Sequence, residues 1–254
     1  MVNEFKYWRL CAWAGPVFMF VFIVFWGAMG HNLPPFSADT PAANIADYFR
    51  QSANTVRIGM VVSMTFAVLY FVWGLACAKI AERTEVHNNV LSTIAIWGGG
   101  LTVVPILVST SFWLAAAYRP DALDNSIIQL LYDWAWLLID LAYSVTTVQM
   151  IALGAAYLSD PRKVPLIPRW LSWYGIWVGV SFAAECLMPI FKTGVFQRMG
   201  MINFWIEFVL WFIWVPLLTV YALRAVTKLE VEAGGKRTTD LTYAAAKFLV
   251  SPAE

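Results

Sequence analysis

The stretch LYDWAWLLIDLAYSV, residues 131–145, is apolar enough to lie in lipid and yet carries two carboxylates, Asp133 and Asp140. Seven residues is nearly two turns of helix, so both project from one face, with Asp140 roughly 10 Å further along at about 1.5 Å per residue. That face continues through Ser144 and Thr147, with Trp136 and Tyr143 at its margin. Composition decides what surrounds it. Hydrophobic residues make up 60% of the 254 and charged residues 13%, against about 25% charged in a soluble domain. The chain is expected to be an all-α, polytopic membrane helix bundle.

Six apolar runs reach the roughly 20 residues that a bilayer requires: residues 10–30, 58–78, 90–117, 127–158, 170–190 and 201–225. Residues 1–228 then form one domain of six transmembrane helices, and 229–254 a cytoplasmic tail. The apolar core of the first run exceeds that of a signal peptide, and Trp13 and Trp26 suit a retained anchor. Short interfacial helices are expected after the first and last spans. In the loop 31–56, Thr40 is a good N-cap and Pro41 fits the first helical position. In the tail, Gly234 and Gly235 are expected to break the chain before a short amphipathic helix capped by Thr238 or Thr239.

Twelve Lys and Arg fall on the side of the two termini and five on the other. The positive-inside rule places both termini in the cytoplasm, which fits a multi-pass protein of a bacterial inner membrane. The net charge of +1 gives no basic field to attract nucleic acid. Cys11, Cys77 and Cys186 lie in apolar runs without metal-site spacing, and are expected to be small buried hydrophobes. His31 and His87 fall on opposite sides of the membrane, so no His pair ligates one metal. No metal and no cofactor is expected, oxygen-only coordination of a hard cation by Asp133, Glu185 and Glu207 being the remaining route. The GGG at 98–100 lacks the strand context of a phosphate loop and reads as close helix packing or a kink.

Topology groups the acids. The fourth span runs inward, so Asp133 lies near its outer end and Asp140 deeper. Glu185 sits about five residues before the outer end of the fifth span, and Glu207 about six residues after the start of the sixth. Asp133, Glu185 and Glu207 are thus expected at similar depth, with Asp140 lower on the same wall. Acids in a membrane normally face an interior or a wet cavity, and several together share protons or a cation. Their expected ligand-contacting neighbours are Trp136, Tyr143, Ser181, Asn203, Trp211 and Trp214. The bland alternative pairs each acid with a snorkelling base, Lys192, Arg57, Arg119 or Arg198.

PRWLSWYGIWVGVSF, FKTGVF and NFWIEFVLWFIWV, within residues 168–215, resemble six-span bacterial membrane proteins, some associated with steroid, lipid or hydrocarbon metabolism. The resemblance implies an apolar ligand and assigns no catalytic residue. Three functions stay open. One is binding or transport of an apolar or cationic amphipathic molecule in an outward-facing cavity lined by carboxylates and aromatics. A second is a cofactor-free isomerase or cyclase of a lipid, sterol or terpenoid, with Asp133, Asp140, Glu185 and Glu207 as its acid–base candidates. The third is a non-catalytic subunit of a larger membrane complex. Expected partners are membrane lipid, an apolar small molecule, and a second copy or a membrane-complex partner.

Overall fold

A computed structural model describes residues 4–86 and 88–250, with side chains to residue 234. His87 lies outside the described residues. Among them there is no strand, and five helical stretches are long and apolar enough to cross a membrane: Glu4–Met29, Ala53–Glu82, Val90–Tyr118, Asn125–Leu158 and Met201–Gly234. The protein is a multi-pass helical membrane bundle.

The first stretch is α1 (Glu4–Val21), which loosens into a π-helical segment, Phe22–Met29. α2 (Ala42–Gln51) follows the first loop. Its N-cap is Pro41, with ψ 142°, rather than the expected Thr40, so the helix begins one residue later. A proline in extended geometry ends the loop as well as it starts a helix. α2 buries Ile45, Ala46 and Phe49 against α6, capping the bundle. Near it His31 lies between Phe36 and Tyr48, and burial lowers its pKa.

α3 (Ala53–Phe66) and α4 (Val68–Glu82) make the second stretch, and α5 (Val90–Tyr118) the third. α6 (Asn125–Leu141) and α7 (Tyr143–Leu158) make the fourth, parted at Ala142. α8 (Arg169–Ser181) is short and tightens into a 3-10 segment, Phe182–Leu187. The last stretch opens with a π-helical segment, Met201–Ile206, and continues as α9 (Glu207–Val250). α9 runs on through Gly234 and Gly235 to Val250, so the break expected there before a separate short helix is replaced by continuous helix.

Side chains sort as lipid contact demands. α5 turns Ser92, Gly98, Thr102 and Ser109 inward and Trp97, Leu101, Val104 and Val108 outward. Large apolar groups gain nothing by leaving hydrocarbon, whereas small residues let backbones approach. Gly98 shows why. A Cβ there would lie 3.0 Å from the backbone N and Cα of Gln149 on α7. The Gln149 side chain fills the space over Gly74 and Gly99, where a Cβ would meet its amide nitrogen at 2.8 and 2.7 Å. The triple glycine is a close-packing device, as its sequence context suggested. Of the cysteines, Cys77 is buried and Cys11 half-buried, but Cys186, in the 3-10 segment, is exposed; all three are free.

Polar contacts mark two ends. At one, Arg9 pairs with Glu230 at 2.6 Å, Arg162 binds Asp160, Glu232 and the Arg83 carbonyl, and Lys228 donates to Val164. At the other, Gln197 accepts from Ser37 and Ala38, and Arg198 donates to the carbonyls of Phe36 and Ser37.

Candidate functional site

Asp140 occupies the last turn of α6, two residues before the Ala142 break. Glu185 lies in the 3-10 segment after α8, and Glu207 opens α9 where the π-helical turn ends. Three departures from regular α-helix thus deliver three carboxylates. Glu185, Glu207 and Asp140 stand close enough together for their charges to interact. All three are buried. No ion pair among the described residues involves any of them; Arg198, whose charge is felt at Asp140, is committed elsewhere. Both carboxyl oxygens of Glu207 and both amide atoms of Asn203, which lies beside Asp140, lack a hydrogen-bond partner among the described residues. Unmet polar groups inside a bundle are costly, so their concentration at one place calls for a ligand, protons or water.

A cavity of about 70 Å³ adjoins the acids. Asp140 and Glu185 line it, with Phe22, Phe208, Trp211 and Tyr143 as aromatic walls. Thr102 and Thr146 form its polar floor, their hydroxyls 3.0 Å apart. Below that floor Tyr70 donates to Gln149 at 2.8 Å, in the glycine slot that closes the bundle. Above it Trp26, Trp113 and Trp136 pack edge to face with centroids 5.5–5.8 Å apart, and all three are fully buried. Each indole N–H there is without an acceptor among the described residues.

The expected grouping needs one correction. Asp140, not Asp133, joins Glu185 and Glu207. Asp133 is 39% exposed and ion-paired with Arg198. Arg198 is only 3% exposed and lies 4.8 Å from the centre of the Tyr132 ring. The physical reason is the irregular segment 188–200. It interrupts the straight span expected to end at 190 and brings Arg198 to Asp133. The paired-acid alternative therefore holds for Asp133 alone. Lys192 is exposed, and Arg57 is spent on the carbonyls of Ala117 and Tyr118.

Of the expected neighbours, Tyr143 and Trp211 line the cavity and Asn203 abuts Asp140. Trp136 belongs to the tryptophan layer above. Ser181 donates to the Val178 carbonyl, and Trp214 packs edge-on to Trp73 beside Gly175; neither lines the cavity. Thr102, Thr146, Phe22 and Phe208 were not anticipated, because hydroxyls and phenylalanines in apolar runs carry no sequence mark of the partner helix they meet. Among the described residues no three His, Cys, Asp or Glu converge tightly enough to hold a metal ion. No protein-family model, curated protein or solved structure matches this chain.

Proposed function

We propose that the protein binds, and by exchange transports, a small organic cation at Asp140, Glu185 and Glu207, releasing protons as the cation enters. The carrying observation is three neighbouring buried carboxyls beside a cavity, with no base among the described residues paired to any of them. Without a counter-ion they cannot all be ionised. A bound ammonium would leave a carboxylate in place of a carboxylic acid, and the displaced proton would go to water. Trp211 and the phenylalanine walls favour a cation through their ring faces. The cavity size weighs against the other readings. It admits a few waters or one ammonium group, whereas a sterol or terpenoid site needs about 300 Å³ or more. A passive subunit needs no cavity beside unpaired acids.

The reading includes six crossings, with both termini in the cytoplasm of a bacterial inner membrane. Contacts at the two ends of segment 162–198 support the sixth crossing. Arg162 is bound at the end holding Arg83 and Glu232, and Arg198 at the end holding Phe36 and Ser37. The charge asymmetry supports the orientation.

The test is proton release. Purified protein in weakly buffered detergent at pH 7 is titrated with methylammonium chloride, with potassium chloride as control. Saturable release of about one proton per chain is expected, falling about fivefold or more in Glu185→Gln and Asp140→Asn. No release, or release unchanged in both variants, overturns the reading.

A further inference from the structure

A second feature bears on what the cation is. On the outside of α6, Trp134, Leu137, Leu138, Leu141 and Ala142 line an apolar groove of about 420 Å³. Ala142 also lines the acid cavity, so cavity and groove are separated by the width of one small residue. It sits where α6 gives way to α7, the point at which the helix wall is interrupted. Asp140 lies near the middle of the Asn125–Leu158 stretch, hence near mid-depth in the bilayer.

We infer that the ligand is a single-chain primary amine, whose ammonium head enters the acid cavity past Ala142 from the bilayer while its alkyl tail rests in the α6 groove. The inference rests on the cation-exchange reading above. Charge complementarity selects the occupant. A fatty acid would bring a fourth carboxylate to three. A phospholipid brings a phosphate and two tails, for which one groove and a 70 Å³ cavity have no place. Among cations, the head must donate hydrogen bonds. The free groups at and beside the cavity include three acceptors, the two Glu207 oxygens and the Asn203 carbonyl oxygen, each buried and without a donor among the described residues, alongside two donors, the Asn203 amide nitrogen and the Trp211 indole N–H. A primary ammonium supplies three N–H donors and a quaternary one supplies none. Head at mid-depth and tail against lipid is also the posture midway between the two leaflets, so the site suits transfer of such an amine between them.

Dodecylamine, dodecyltrimethylammonium and dodecanoate are compared on the purified protein in nanodiscs of uncharged phospholipid. Trp fluorescence reports binding and a pH dye reports released protons. Methylammonium, which fits wholly within the cavity, is the reference. Dodecylamine is expected to bind about tenfold or more tighter than dodecyltrimethylammonium, and dodecanoate not at all. Leu141→Trp, at a residue that lines the groove and not the acid cavity, is expected to weaken dodecylamine about tenfold and leave methylammonium-driven proton release intact. Leu141→Phe, a milder change should the larger one misfold, is expected to fall between. Equal affinity for the two dodecyl cations, or dodecylamine binding untouched by both variants while methylammonium still releases protons, overturns the inference and spares the exchange reading. Proton release by neither amine overturns both.

Discussion

Arg198 is the residue on which the end holding Phe36 and Ser37 turns. Its guanidinium holds Asp133, the carbonyls of Phe36 and Ser37, and the face of Tyr132, at 3% exposure. Truncation orphans two carbonyls and a carboxylate together. Arg198→Ala is expected to cost roughly 2–4 kcal/mol, read as a lower unfolding midpoint in detergent. Asp133→Asn should cost under about 1 kcal/mol, because the carboxylate is partly solvated. An equal loss in both would mean that the ion pair, and not the anchoring of the loop carbonyls, carries the stability. Sequence reading offered Arg198 as one of four snorkelling bases but could not choose among them. Which acid it meets is set by the fold of 188–200, which has no periodicity to read.

At the scale of elements, the long helices were legible because lipid imposes one simple rule, a continuous apolar run. The runs at 90–117 and 127–158 match Val90–Tyr118 and Asn125–Leu158 to within two residues at each end. What the rule does not encode is where a helix departs from regularity. The π-helical turns at Phe22–Met29 and Met201–Ile206, the 3-10 turn at Phe182–Leu187 and the break at Ala142 are those departures. They place the acids. A straight-helix reading therefore put Asp133 level with Glu185 and Glu207 and Asp140 lower on the same wall, whereas Asp140 is the one that stands with the two glutamates. The close approach of α5 and α7 follows the opposite logic, since the glycines that permit it are visible in the sequence. Gly98→Val would push a branched side chain into the Gln149 backbone. Overpacking of this kind costs about 1–3 kcal/mol, so its unfolding midpoint should fall, and more than that of Gly100→Val, whose Cβ meets only Phe71 at ordinary distance. Equal effects at the two positions would remove Gly98 as the contact point.

For the whole molecule, the layers have distinct chemistry. A tryptophan layer lies on one side, three acids and a small cavity occupy the middle, and a glutamine seated among glycines lies on the other. On the proposed reading, a site one residue from a lipid-facing groove would draw its ligand sideways. That account depends on the acids exchanging protons for a cation. Infrared difference spectroscopy of the protein at pH 7, with and without methylammonium, observes that exchange directly. The account predicts a protonated-carboxyl C=O band in the resting protein that is lost as carboxylate bands appear, with the change diminished in Glu207→Gln and in Asp140→Asn. Three ionised carboxylates in the resting protein, with no carboxyl band lost on adding the amine, would contradict it.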